Sequence, residues 1–96
     1  MKITDVRVRK VTRSEKIKAA VTVIFDGVFA VHDIKVIEGS KGIFVAMPSR
    51  AAYDPVNDDT KHRDIAHPIN SEVREKLNRT ILNEYYKMLE EENKNA

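Results

Sequence analysis

With 96 residues, 33% of them charged, a net charge of +2 and no cysteine, the chain has room for one small domain that buries about 60% of its unfolded surface. The missing cysteines exclude a disulfide framework, a thiolate zinc site and a thiol nucleophile. No apolar run nears the roughly 18 residues of a membrane span and the first residues lack a signal peptide's apolar core, so a cytoplasmic protein with no membrane partner is expected.

The small net charge hides an uneven distribution. Residues 1–20 carry seven Lys or Arg against two acids, whereas residues 51–70 carry two against four. A basic front end suits a polyanion-facing surface, and it equally suits an edge strand guarded against aggregation.

Residues 3–11 alternate, with Thr4, Val6 and Val8 on one face and Asp5, Arg7 and Arg9 on the other. This predicts a half-buried strand with a charged outer face. After a polar turn over Lys10 to Lys16, a second alternation places Ile17, Ala19, Val21, Val23 and Phe25 together. Asp26-Gly27 is the strongest hairpin signal, because a two-residue type I′ turn needs positive φ and glycine adopts it at little cost. The third strand, from Val28 to about Ile37, changes its alternation at His32-Asp33, where an inserted residue is the usual device. Gly39 to Gly42 turns the chain into a fourth strand, Ile43 to Met47, which Pro48 ends. Four strands joined by short turns predict an antiparallel meander.

Ser49 and Arg50 are thereby delivered to a polar segment, and residues 50–62 show neither helical nor strand period, so a mobile loop is expected. From Ser71 the apolar residues Val73, Leu77, Ile81, Tyr85 and Met88 step by four, four, four and three, the signature of one helix face. Asn70 stands where it can cap that helix, with Glu72 and Glu75 near the positive end of its dipole. The helix is expected to run from about 71 to 89, and residues 90–96 to fray. The sum is a single α+β domain over 1–96: a small curved antiparallel β-sheet, a meander of about four to five strands within residues 2–66, with one C-terminal helix.

Side chains able to do chemistry are few. His62 and His67 lack the spacing of a helical zinc pair, and His67-Pro68 reads as an extended residue holding the helix start. Ser49, His67 and Asp64 have no nucleophile elbow around them. No enzyme, metal, cofactor or small-molecule substrate is expected. Tyr53 is the loop's sole aromatic and gives little support to a base-stacking platform.

Five stretches carry a resemblance: Ile3-Thr4-Asp5-Val6-Arg7, Val31 to Ile37, Gly42 to Ser49, Arg63-Asp64-Ile65-Ala66-His67-Pro68-Ile69-Asn70 and Asn83-Glu84-Tyr85. In this order the chain resembles, over residues 1 to about 86, the SpoVG family of stage V sporulation protein G or septation regulators of bacteria. The resemblance implies a homodimer formed by strand pairing, a role in cell division, with asymmetric septation in spore formers, and site-selective binding of DNA and RNA. Family members use basic residues just after Met-Pro-Ser, which carries over to Arg50. Here Ala51 and Ala52 follow where relatives often place a second basic residue, and the loop up to Arg63 is longer and contains Asp58 and Asp59, so a weaker nucleic-acid affinity than the family norm, or the use of Lys61 and Arg63 instead, is expected. Arg7, Arg9 and Lys18 on the sheet are further candidates for phosphate contact. A protein-interaction module in septation that uses a sheet edge or the helix is the competing reading.

Overall fold

The computed structural model describes residues 2–12 and 14–95, and the side chains of all of these except 93–95. Arg13 within the expected first turn and Ala96 at the end of the expected tail lie outside the described residues, as does Met1. The elements in chain order are β1 (Ile3–Lys10), β2 (Ile17–Phe25), β3 (Phe29–Gly39), β4 (Gly42–Ala46), β5 (Ser49–Asp54), β6 (Asp59–Asp64) and α1 (Ser71–Asn95). Strands β1 to β4 form an antiparallel sheet in sequence order, and β5 pairs with β6 as a separate two-stranded ribbon. The meander and the α+β class are therefore as the sequence predicts.

One face of the sheet builds the core. Ala19, Val21, Val23 and Phe25 from β2, Ile34 and Val36 from β3, and Leu77, Ile81 and Tyr85 from α1 are buried with Met47. Ile3, Val6 and Val8 of β1 and Ile43 and Val45 of β4 pack at its margins. The helix lies over this face and touches both edge strands, β1 and β4.

Three bulges tune the alternation. On β3 the register steps from Val21↔Ile34 to Val23↔Val31, leaving His32 and Asp33 opposite Thr22, and Asp33 takes φ 63. The expected insertion at His32-Asp33 is thus present. It lets Val31 and Ile34, three residues apart, both face the core. A second bulge, between Ile3 and Asp5, brings Ile3 onto the core face with Val6 and Val8. Thr4, assigned to that face by simple alternation, instead accepts a hydrogen bond from Gly27 N (2.9 Å) and donates to Ile24 O (3.1 Å). The third lies at Lys18, between Ile17↔Ile37 and Ala19↔Val36, and it removes Ile17 from the row of Ala19, Val21, Val23 and Phe25.

At the β2–β3 turn, Asp26 (φ 53) and Gly27 (φ 68) have the two positive φ angles of a type I′ turn, closed by Val28 N to Phe25 O at 3.0 Å. The ladder resumes only at Phe25↔Phe29, so the hairpin is one residue longer than the two-residue connection expected. Val28 is left outside the ladder and 87% exposed.

Asn70 caps α1, its Oδ1 accepting from Glu72 N (2.8 Å) and Val73 N (3.2 Å), an arrangement worth about 0.5–2 kcal/mol. Leu77, Ile81 and Tyr85 of the predicted stripe are buried and Met88 is half-buried, but Val73 is 44% exposed because the first turn stands at the rim of the core. The helix also continues to Asn95, beyond the expected end near 89. No Gly or Pro interrupts it, Leu82 and Leu89 widen the apolar face, and Lys10 Nζ reaches Glu92 Oε2 at 3.2 Å. Residues 90–95 therefore form the last turns of the helix where a frayed tail was expected.

Candidate nucleic-acid interface

The segment expected to be a mobile loop is the β5–β6 ribbon. Its register pairs Ser49 with Asp64, Arg50 with Arg63, Ala51 with His62, Ala52 with Lys61, Tyr53 with Thr60 and Asp54 with Asp59. Directly opposed residues of an antiparallel pair share a face. Arg50, Arg63, Ala52, Lys61, Asp54 and Asp59 therefore line one side, with the two acids at the tip, and Ser49, Asp64, Ala51, His62, Tyr53 and Thr60 the other. The three cations nominated after Met-Pro-Ser are brought together on one surface by a pairing that the sequence does not display.

The turn at the ribbon's tip is well tied. Asp54 Oδ1 accepts from Val56 N at 3.0 Å and its Oδ2 from Asn57 Nδ2 at 2.9 Å. Asp58 sits at φ 47, and its carboxylate accepts the Tyr53 hydroxyl, which raises the phenol above its ordinary pKa. At the base, Ile65 N donates to Pro48 O at 2.7 Å, with Pro48 buried. No side chain of β5 or β6 is fully buried.

The Arg50–Arg63 face is basic at its base and acidic at its tip, where Asp54 is paired with Asp59. Arg50 and Arg63 are directly opposed, and like charges in that position cost stability. Among the described residues, no carboxylate lies within ion-pair distance of Arg50, Lys61 or Arg63. The other face of the ribbon borders a cleft whose walls include Ile17, Lys35 and Ile37 of the sheet and Arg74 of α1, with Ser49, His62 and Asp64 on the ribbon side.

The remaining candidates lie elsewhere. Arg7 and Arg9 project from the sheet face opposite the helix, where Arg9, Ala20, Lys35 and Ala46 follow one another across four strands. Arg7, Arg9, Thr22 and His32 line a shallow concavity there, with His32 Nδ1 and Thr22 Oγ1 3.1 Å apart. Arg7 Nε is 3.0 Å from Asp5 Oδ2, and both side chains are open to solvent. Lys18, at its bulge, is 3.1 Å from Glu38 Oε2, so its charge is already partnered. Sequence reasoning missed Lys35 and Arg74. Lys35 sits between two core residues, and only the sheet register shows that it shares a face with Arg9.

His67 Nδ1 lies 3.1 Å from Pro68 O, and His62 is paired with Ala51 on the ribbon. Among the described residues no group of three or more His, Asp or Glu side chains is placed to hold a metal ion. Nor is any helix among them long and apolar enough to cross a membrane.

A second surface is apolar. Phe25, Phe29, Val31, Ile34, Met47, Pro68, Val73 and Leu77 line a cleft of about 170 Å³ between the β2–β3 turn and the start of α1. Around it Val28, Ile65 and Ile69 are more than 60% exposed.

Residues 1–87 match the SpoVG family model. The chain is 55% identical over 92 residues to a SpoVG protein of Clostridium kluyveri, an alignment covering 96% of this chain and 91% of that one. It is equally similar to one from Thermoanaerobacter sp. strain X514, with coverage of 96% and 95%. One from Clostridium perfringens is 53% identical over 88 residues, 92% of each chain. All three relatives are named for septation.

Proposed function

The chain belongs to the SpoVG family, and on that premise we propose that it serves septation in the cytoplasm as a dimeric, site-selective DNA- and RNA-binding regulator, without enzymatic activity. The observation that carries the nucleic-acid part is the Arg50–Arg63 face of the ribbon. Arg50, Lys61 and Arg63 share it with Asp54 and Asp59 at the tip, yet no carboxylate among the described residues is within ion-pair distance of any of the three cations. A protein that keeps two arginines directly opposed tolerates their repulsion, and a polyanion laid across them relieves it. Arg7, Arg9 and Lys35 add a second basic surface on the open sheet face.

A mobility-shift titration at several salt concentrations tests this reading. Phosphate binding predicts an affinity that falls steeply with salt, with log–log slope about −0.9 per phosphate contacted on duplex DNA. A flat response, or no shift at 50 mM salt, argues for the second reading, a protein-interaction module. The apolar surface of Val28, Phe29, Ile65, Ile69 and Val73 favours that alternative.

For the dimer we propose pairing at β4. The two edges of the sheet are β1 and β4. Strand β1 carries Asp5, Arg7, Arg9 and Lys10, charges that discourage edge pairing, while β4 offers Gly42-Ile43-Phe44-Val45-Ala46 with no charge at all. Pairing of β4 with β4 of a second copy extends the sheet through a two-fold axis. Light scattering at micromolar concentration should give twice the chain mass, and Phe44→Lys should shift it toward the monomer. A monomer throughout the accessible range removes the dimer from this proposal.

A further inference from the structure

We propose that the β5–β6 ribbon enters the major groove of B-form duplex DNA with its Arg50–Arg63 face turned to the base edges, an inference that rests on the nucleic-acid reading above. The shape argument comes first. Two strands about 4.8 Å apart, with side chains alternating above and below, make a blade roughly 10 Å across. The B-DNA major groove, about 12 Å wide, admits a two-stranded ribbon, whereas the A-form RNA major groove is too deep and narrow for side chains to read. The ribbon shares no ladder with the main sheet. The base of its other face, at Ser49, His62 and Asp64, borders the cleft with Lys35 and Arg74, whereas Arg50, Lys61 and Arg63 are all exposed to solvent.

The chemistry of the Arg50–Arg63 face suits base edges. Arginine bonds guanine O6 and N7 in bidentate fashion, lysine reaches the same acceptors, and an alanine methyl packs on the thymine methyl. Arg50, Arg63, Lys61 and Ala52 supply these groups side by side, and Asp54 and Asp59 end the same face at the tip, where Asp54 is bonded to Val56 N and Asn57 Nδ2 and Asp59 can accept from cytosine N4. A single-strand binder needs aromatic rings for stacking. The ribbon's one aromatic, Tyr53, lies on the other face with its hydroxyl held by Asp58. The tip bonds of Asp54 and the Tyr53–Asp58 bond also hold the ribbon in shape before it meets DNA, which lowers the ordering cost of binding.

The test uses the full chain and a duplex selected by it from a random library. Guanines in the selected site are replaced one at a time by 7-deazaguanine, which lacks the N7 acceptor in the major groove. Affinity is expected to fall about 5- to 150-fold at one or two positions, and Arg50→Ala or Arg63→Ala should be insensitive to the replacement at its own position. Netropsin, which fills the minor groove, should leave binding intact. Binding that ignores every 7-deazaguanine but yields to netropsin overturns the groove assignment while leaving nucleic-acid binding standing. A preference for the single strand or for duplex RNA of the same sequence overturns it equally. Failure to select any nucleic acid at 50 mM salt refutes the function proposed above, and this inference with it.

Discussion

Replacing Ile81 by Ala should remove about 2–5 kcal/mol of stability, the range for truncating a buried branched or linear aliphatic side chain. Ile81 is 0% exposed and sits with Leu77 and Tyr85 on the helix stripe that closes the core over Val21, Val23, Ile34 and Val36. A chain of this size holds about 5–15 kcal/mol in total, so the loss is a large share. The site has little means of collapsing, since the opposing side chains come from strands fixed by their ladders. Val73→Ala is the internal contrast: at 44% exposure it should stay within roughly 0.5 kcal/mol, the range for surface substitutions. Urea unfolding with an unchanged m value decides the matter. An Ile81→Ala loss below about 1 kcal/mol would contradict the packing described.

The Arg50→Ala, Lys61→Ala, Arg63→Ala triple variant should have the largest effect on binding. If all three side chains meet phosphates, the salt slope should drop by about 2.7. If the arginines read guanines, each replacement should cost about 1–3 kcal/mol on the preferred sequence and flatten discrimination. The same variant should fold at least as well as the parent, because it removes the Arg50–Arg63 opposition and buries nothing new. A thermal melt and a titration on one preparation measure both. Unchanged binding with an intact fold would transfer the contacts to Arg7, Arg9 and Lys35 on the open sheet face.

Where one face is buried, the sequence is legible. The meander, the bulge at His32-Asp33 and the Leu77, Ile81, Tyr85 stripe all follow from apolar residues that must point one way. The ribbon fails that test because both of its faces are solvated, so no apolar alternation marks its strands. What the sequence does offer is the turn: Asp54-Pro55 and Asn57-Asp58-Asp59 stand midway between Ser49 and Asp64, and two equal arms around such a cluster suggest a hairpin. Arg50, Lys61 and Arg63 were readable as candidates, but their sharing of one face needed the register. Lys35 shows the same limit. The helix end was misjudged for a different reason. Apolar content falls after Leu89, yet a helix continues until something stops it, and residues 90–95 contain neither Gly nor Pro.

The separation of the ribbon from the core has an evolutionary consequence. Its twelve strand residues bury no side chain fully, and it joins the sheet through Met47-Pro48 and the bond from Ile65 N to Pro48 O. Exchanges at Ala52, Lys61 or Arg63 therefore meet little resistance from folding, whereas exchanges at Val21 or Ile81 meet a great deal. Selection can retune what the blade touches while the scaffold stays as it is. Lineages that share this scaffold are free to diverge in their targets without first acquiring spare stability.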